Sequence, residues 1–220
     1  KTLWVKRGSK NYLNRFQQCM GMLVSGPLQR LGPARTRLYR EVTRIRALRR
    51  TGAFVPEVVT VGADYIVLSD IGESLETLLR RTPTPAEATA YVTGSAHVLA
   101  QLHRSRQWHG NAKLRNFTYH AASGRTGMID FEDPVSPLPL VYKHIKDIFM
   151  LAGSSYRFDP SGQLLRTILA TYRREHSLVP ALIAALLLLP LYCLLKPLQS
   201  VMGRDVQELL ATLHGLYALV

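Results

Sequence analysis

Two short polar segments near the middle of the sequence carry residue types that can bind a metal–phosphate complex. The segment from His109 to Asn116 (His-Gly-Asn-Ala-Lys-Leu-Arg-Asn) is followed, fourteen residues after Asn116, by Asp130 in Met-Ile-Asp-Phe-Glu. Phosphoryl transfer from a nucleotide needs hard oxygen ligands for the metal ions that bridge the phosphates. An Asn on a loop and an Asp at the end of an adjacent strand can supply such ligands. The alternative is purely structural, namely a β-hairpin with an Asx-capped turn and an Asp at a strand end.

At these positions the sequence resembles the catalytic loop of protein kinases, His-x-Asp-x-x-x-x-Asn, and their metal-binding Asp-Phe-Gly segment. The resemblance implies that Asn116 and Asp130 bind magnesium and that Lys113 contacts the transferred phosphate. Two positions depart from the family pattern, because Asn111 replaces its catalytic Asp and Glu132 replaces a Gly that many members have. An amide cannot accept the substrate proton at neutral pH, so general-base help worth about 10²–10⁴-fold is expected to be missing.

Three explanations fit Asn111. It is an inactivating substitution, the mark of a natural pseudokinase, or a feature of an enzyme whose acceptor needs little deprotonation. Positioning and electrostatic stabilisation can survive the change, since the transition state of phosphoryl transfer is loose.

Upstream, the resemblance implies that Lys6 is the strand lysine that holds the α- and β-phosphates of ATP, with Glu41 as its partner on the following helix. A flexible ammonium is directed by a neighbouring carboxylate, so the pairing is physically sensible. The alternative for Glu41 is a helix-surface ion pair with Arg37 or Arg44, which lie at i−4 and i+3. The resemblance also implies a glycine-rich phosphate loop before Lys6, where the sequence has only five residues. Either that loop lies in missing sequence or the nucleotide is covered differently.

The segment after the second strand of a predicted hairpin matches the kinase hinge. Its residues Ser69, Asp70 and Ile71 are followed by Gly72, and the resemblance implies that their backbone groups bind the adenine edge. Asp147 resembles the buried Asp that hydrogen-bonds the catalytic-loop backbone in kinases. A solvent-exposed acid on a helix is the alternative for Asp147.

Local patterns predict the elements that position these residues. Apolar residues at helical spacing predict a basic helix over Thr36–Arg50, and Thr84-Pro85-Ala86-Glu87 predicts the capped start of a second helix. Alternating β-branched and aromatic residues, together with turn residues, predict five strands, and the chain after the last of these strands is predicted to be helical. The predicted strands are Thr2–Lys6, Val58–Val61, Tyr65–Leu68, Phe117–Tyr119 and Gly127–Ile129.

This order of elements predicts an α+β, bilobal protein-kinase-like fold. We expect a small β-containing N-lobe over residues 1–70, without the family's first strands and glycine-rich loop. We expect a mainly helical C-lobe over residues 71–220 that carries the catalytic and metal-binding loops.

Charge predicts the class of partner. The chain has 220 residues and a formal net charge of +13, which favours nucleic acid, acidic lipid headgroups or phosphorylated glycans as partners. No nucleic-acid recognition motif accompanies the charge, so we expect no nucleic-acid partner. The histidines lack zinc-ligand spacing, and we expect neither zinc nor haem.

Within the superfamily, the sequence is most similar to the bacterial lipopolysaccharide-core kinases, the Kdo/heptose kinase group. The resemblance implies ATP- and Mg²⁺-dependent phosphorylation of a sugar hydroxyl on an anionic lipid-linked glycan, at the inner face of the cytoplasmic membrane. The competing hypothesis is a pseudokinase that binds nucleotide or a partner without turnover. The features that carry the resemblance are Arg40-Glu41, Gly52-x-x-Val55-Pro56, Gly72, His109-Gly110, Ile129-Asp130-Phe131-Glu132 and Gly203-Arg204-Asp205.

Two further features bear on location. Cys19 and Cys193 lie far apart in apolar surroundings, which predicts buried thiols in a reducing compartment, and no signal peptide is recognised. We therefore expect a cytoplasmic protein, peripheral to the membrane. The apolar segment Leu178–Leu195 contains Pro180 and Pro190, which favours a core position or peripheral membrane contact over a membrane span.

Overall fold

The structure is a computed structural model that describes residues 2–7, 34–131, 138–197 and 203–218, with only the backbone described for Ala34 and Asp205. Its N-terminal part contains a three-stranded antiparallel sheet with the order β1-β3-β2. In this sheet Lys6 of β1 is paired with Ile66 of β3. The bounds are β1 (Leu3–Arg7), α1 (Ala34–Arg50), β2 (Val58–Val61) and β3 (Tyr65–Ser69).

The helix α1 packs on this sheet through one apolar stripe. Its side chains Leu38, Val42, Ile45 and Leu48 are all buried. They recur at three- and four-residue intervals, so they share one side of the helix, while most of the arginines stay on the solvent side. Helix α1 thereby holds a fixed orientation on β2 and β3.

The rest of the described chain is mainly helical, with a second small antiparallel sheet of order β4-β5-β6. Helix α3 packs against α5, and α4 packs against both α5 and α8. The predicted α+β class, with a small β-containing part and a mainly helical remainder, is confirmed. The boundary between an N-lobe and a C-lobe at residue 70 stays a prediction. The bounds are β4 (Glu73–Ser74), α2 (Leu75–Arg80), α3 (Pro85–Arg104), a 3₁₀ helix (Leu114–Asn116), β5 (Phe117–His120), β6 (Arg125–Met128), α4 (Leu140–Ser155), α5 (Gln163–Glu175), α6 (Val179–Leu187), α7 (Leu189–Leu195) and α8 (Arg204–Tyr217).

The start of α3 is the predicted capping box. The hydroxyl of Thr84 accepts a hydrogen bond from the backbone N–H of Glu87, and the Glu87 carboxylate accepts one from the N–H of Thr84. Pro85 occupies the first helical position, where its missing N–H is not needed. This local chemistry fixes where α3 begins.

Two elements next to the hinge are absent from the sequence prediction. The segment after Gly72 is paired with β5 as the short strand β4 and continues directly into α2. Gly72 has φ of 104°, and a Cβ atom there would lie 2.2 Å from the backbone oxygen of Tyr119. Glycine is therefore required for this close approach, and the long-range pairing has no local sequence signature.

The apolar segment Leu178–Leu195 is divided into two short helices, α6 and α7, that meet at Leu188. Among the described residues, no helix has both the length and the apolar character that crossing a bilayer requires.

The prediction of buried thiols is wrong for Cys193, which is exposed on α7. Its apolar neighbours in the sequence lie partly on the protein surface themselves, so apolar surroundings in the sequence did not indicate burial. Cys19 lies outside the described residues.

Candidate functional site

Lys6 is the centre of the predicted site. Its Nζ atom lies 3.0 Å from the carboxylate of Glu41 and 2.7 Å from Oδ1 of Asp130. Glu41 is fully buried, so the alternative of an ion pair on the helix surface is wrong. The side chains of Lys6 and Asp130 are 28% and 32% exposed, which leaves both accessible to a ligand.

The hairpin β5–β6 brings Asn116 and Asp130 to the same end of the second sheet. Phe117 is paired with Met128, and the N–H of Ile129 donates to the carbonyl of Asn116 over 2.9 Å. Asp130 follows immediately with φ of 66°. This left-handed conformation is uncommon for a residue other than glycine but is tolerated by Asp. It ends the strand at the residue whose carboxylate contacts Lys6.

The amide of Asn116 is held in one orientation. Its Nδ2 group donates a 2.7 Å hydrogen bond to the backbone oxygen of Asn111, and the side chain is nearly buried. The bond uses the nitrogen end of the amide, so Oδ1 remains as the acceptor end. Asn116 therefore presents the oxygen that metal coordination requires.

Asp147 anchors the loop that precedes Asn116. It is fully buried on α4, and its carboxylate accepts the backbone N–H groups of His109 over 2.5 Å and Gly110 over 2.8 Å. The alternative of an exposed helix acid is wrong. Burial alone raises the pKa of Asp147. The hydrogen bond from His103, the electrostatic interactions with the imidazoles of His103 and His109, and the N–H of His109 outweigh burial and lower that pKa. Asp147 is therefore charged at neutral pH.

His109 is a neutral, buried part of the loop. Its ring stacks on Phe131 at 4.9 Å between centroids and lies 5.6 Å from Phe117. Its Nδ1 accepts a hydrogen bond from the N–H of Asn111 over 3.3 Å. Burial lowers the pKa of His109 to about 4 despite the opposing charge of Asp147. The side chain thus packs the loop onto the Ile129-Asp130-Phe131 segment.

A second histidine with a lowered pKa, His144, contacts the backbone just before this loop. His144 stacks on His103 at 3.9 Å between centroids, and its Nε2 hydrogen-bonds the carbonyl of Gln107. Burial, together with the nearby charge of His103, lowers the pKa of His144 to about 4. Both His109 and His144 are therefore neutral in the folded protein over a pH range where an unfolded chain would protonate them.

Mild acid is consequently expected to destabilise the protein. Below pH 6.5 the unfolded state takes up protons that the folded state binds only near pH 4, so stability falls as the pH falls through this window. Between pH 7 and pH 5 the fully buried His109 should remove about 2 kcal/mol from the free energy of unfolding. The half-buried His144, whose charge is partly screened by solvent, should remove about 1 kcal/mol. Urea unfolding at the two pH values measures this loss.

His144→Gln separates this effect from general acid sensitivity. Gln keeps a donor for the carbonyl of Gln107 but cannot titrate, so the variant should lose about 1 kcal/mol less than the parent between pH 7 and pH 5. His214→Gln, at an exposed position on α8, is the matched control and should behave like the parent. An identical pH dependence in the parent and in His144→Gln would contradict the explanation.

Lys113 has a partner that the sequence did not indicate. Its Nζ lies 3.6 Å from the carboxylate of Glu208 on α8, and the same carboxylate lies 3.5 Å from Arg157. Arg157 also forms a 3.1 Å ion pair with Glu76 on α2. The predicted phosphate-binding lysine is thus tied to the C-terminal helix. No local pattern around Glu208 indicates this long-range pair.

Trp108 joins α1 to α4 next to the loop. The guanidinium of Arg44 lies 4.5 Å from the centroid of its ring, and the ammonium of Lys143 lies 3.9 Å from it. Arg44 also donates to the backbone oxygen of Trp108. Cation–π contacts of this kind stabilise by about 0.5–2 kcal/mol. Neither Trp108 nor Arg44 was predicted to belong to the site.

The hinge residues are largely engaged within the protein. The N–H of Ser69 donates to the carbonyl of Glu57 over 2.9 Å, and the N–H of Asp70 donates to the carbonyl of Thr2 over 3.2 Å. The carbonyl of Ile71 accepts from the hydroxyl of Thr118. Adenine binding at the hinge stays a prediction. Backbone groups of this segment other than those named above would have to bind the adenine.

A cavity among the described residues lies away from this site. It has a volume of about 380 Å³ and is lined by the residues that follow α1, by α3 and by the β6 end of the hairpin. None of the predicted site residues lines it.

No protein-family model matches the sequence, and no curated protein matches it. One of the solved structures it resembles is described as WaaP in complex with acyl carrier protein. That structure has 21% sequence identity and a TM-score of 0.48, and the match covers 64% of this chain and 67% of that one.

Proposed function

We propose that this protein is an ATP- and Mg²⁺-dependent phosphotransferase. The observation that carries the proposal is the position of Lys6, whose ammonium lies within 3.0 Å of both Glu41 and Asp130. This lysine connects a buried helix carboxylate to the carboxylate at the end of β6. A cation directed by one acid and lying beside a second suits a triphosphate that carries a divalent metal.

Each residue has a separate role in the proposed site. Lys6, directed by Glu41, binds the α- and β-phosphates, and Asp130 and Asn116 supply oxygen ligands to Mg²⁺. Magnesium in such sites is held by one or two protein oxygen ligands plus the phosphates, which fits this pair. When bound, the metal neutralises the charge that develops on the phosphates.

The remaining two residues act at the acceptor side. Lys113 binds the phosphoryl group in transit, which requires that it exchange its contact with Glu208 for the phosphate. Asn111 holds the acceptor hydroxyl in line, although its amide cannot remove the proton. The backbone of Asn111 is fixed by the Asn116 hydrogen bond of 2.7 Å, which ties the acceptor position to the metal ligand.

The proposed acceptor is a sugar hydroxyl of lipopolysaccharide core or a related anionic lipid-linked glycan, at the inner face of the cytoplasmic membrane. The net charge of +13 favours such an acceptor and disfavours polycationic acceptors such as aminoglycosides. Arginine offers bidentate contacts to phosphate groups of the glycan and of neighbouring lipids.

A second candidate function is a pseudokinase that binds nucleotide or a partner without turnover. Asn111 favours it directly, because the residue removes the expected general base. The ion pair of Lys113 with Glu208, 3.6 Å apart, favours it as well, because it occupies the lysine of the proposed transfer step. The phosphotransferase and a nucleotide-binding pseudokinase share the nucleotide site and differ only in turnover.

Thermal unfolding with and without Mg·ATP tests the shared nucleotide site. At ATP concentrations about 100 times the Kd, binding adds about 2.7 kcal/mol to stability, which corresponds to a rise in Tm of roughly 5–10 °C. Asp130→Asn should abolish this rise because the amide is a much weaker magnesium ligand. Asp64→Asn, at an exposed turn position, is the matched control and should keep it. An unchanged Tm of the parent at millimolar Mg·ATP would reject the phosphotransferase and a nucleotide-binding pseudokinase.

A further inference from the structure

The helices α6 and α7 present an apolar face to the outside of the protein. On α6 the exposed side chains recur at i, i+4, i+7 and i+8, which places them on one side of the helix. On α7 the exposed fraction reaches 70% for Leu194, and at the end of α6 it reaches 77% for Leu187. The exposed residues used here are Val179, Ile183, Leu186, Leu187, Leu191 and Leu194.

The opposite side of α6 already packs against the protein. Ala181 and Ala185 are buried, and the carbonyl of Ala185 accepts a 2.6 Å hydrogen bond from the hydroxyl of Tyr217 on α8. The inner face is therefore formed by small residues that allow close packing, while the large apolar residues point outward. Large apolar side chains exposed on two consecutive helices are typical of an interaction surface.

The charged residues that border this segment in the sequence are mainly basic, although Asp205 directly follows Arg204. Arg173 and Arg174 are exposed at the end of α5, and Lys196 and Arg204 follow α7. Residues 176–204 contain no Asp or Glu. Glu175, the acid that precedes this stretch, forms a 3.1 Å ion pair with Arg104. An apolar face flanked by cations is complementary to a bilayer with anionic headgroups.

We propose that the exposed face of α6 and α7 docks the protein onto an anionic lipid bilayer. At 1.5 Å per residue, the nine residues of α6 and the seven of α7 give lengths of about 13 and 10 Å, well below the roughly 30 Å hydrocarbon core. The helices lie in the plane of the interface, with their leucines in the acyl boundary and the flanking cations among the headgroups. The docking itself does not depend on the proposed function. Only the assignment of the bilayer to the inner face of the cytoplasmic membrane rests on that function.

Vesicle flotation with the full chain tests this surface. Vesicles of phosphatidylcholine with 30% phosphatidylglycerol should bind the protein, and Leu187→Gln/Leu194→Gln should lower the partition coefficient about 100-fold, at roughly tenfold for each leucine. These side chains are largely exposed, so both variants should fold, which circular dichroism checks. Leu3→Gln/Val59→Gln removes exposed apolar area from the N-terminal sheet and is the matched control with parental binding.

Cys193 on α7 allows a direct measurement of insertion. In a Cys19→Ser background, an environment-sensitive NBD label on Cys193 should shift to the blue and brighten several-fold with the anionic vesicles. With pure phosphatidylcholine vesicles the response should be much weaker. Arg173→Gln/Arg174→Gln should reduce binding to the anionic vesicles severalfold.

The following outcomes would overturn the inference. Equal vesicle binding by the parent and the double leucine variant would exclude this face. Absence of vesicle binding by the parent, combined with a dimer that the leucine variant dissociates, would assign the face to contacts between copies. Asp130→Asn should bind vesicles like the parent, so loss of nucleotide binding and loss of docking are measured independently.

Discussion

Replacing Asn111 with Asp is expected to raise phosphate transfer by about 10²–10⁴-fold, the usual contribution of a general base. Asp has the same shape as Asn, and the hydrogen bonds of Asn111 to Asn116 and Lys113 use its backbone oxygen. The loop can therefore keep its conformation while it gains a carboxylate that accepts the proton of the acceptor hydroxyl. Transfer from labelled ATP to purified lipopolysaccharide core measures the effect.

Two further measurements test this expectation. ATP hydrolysis, in which water is the acceptor, should rise in Asn111→Asp even if the offered glycan is wrong. The double variant Asn111→Asp/Asp130→Asn should lose the gain, because the added base cannot act without the metal. If Asn111→Asp binds Mg·ATP as the parent does but transfers no phosphate to glycan or water, the pseudokinase hypothesis is favoured.

Replacing Asp147 with Asn is expected to reduce the free energy of unfolding by about 3 kcal/mol, which corresponds to a fall in Tm of roughly 6–12 °C. The carboxylate is fully buried and accepts the N–H groups of His109 and Gly110. An amide has one oxygen for these two donors, and its own NH₂ group must then face one of them. One backbone donor is left unsatisfied in the interior, and the charge that held both is lost.

Asp64→Asn again serves as the matched control, since an exposed turn position should change stability by less than about 0.5 kcal/mol. Amide hydrogen exchange at His109 and Gly110 localises the effect, because these two N–H groups should exchange much faster in Asp147→Asn. A loss below about 1 kcal/mol with unchanged exchange at both sites would mean that Asp147 does not anchor the loop.

Asp147 and Lys6 have different roles in the proposed site. Asp147 contacts only buried protein groups and positions the loop that carries Asn111, Lys113 and Asn116. Lys6 is 28% exposed and joins β1 to the acids of α1 and the β6 end. Changes at Asp147 should therefore act on stability first, whereas changes at Lys6 or Asp130 should act on ligand binding first.

The sequence by itself determined the elements whose signals are local. The apolar stripe of α1, the Thr84 capping box and the β5–β6 hairpin all depend on residues a few positions apart, and the structure contains each of them. The hairpin register then follows from the short turn, which is why Asn116 and Asp130 could be expected at one end of the same sheet. The burial of Asp147 and its contacts with the loop agree with the resemblance to kinases.

Only the tertiary structure decided which distant groups meet. The pair of Lys113 with Glu208, the position of Trp108 between Arg44 and Lys143, and the strand β4 join segments far apart in the chain. Local periodicity indicates which side of a helix is apolar but not what covers that side. For this reason the sequence could not tell that Cys193 and the leucines of α6 and α7 lie on the surface, where packing leaves them exposed.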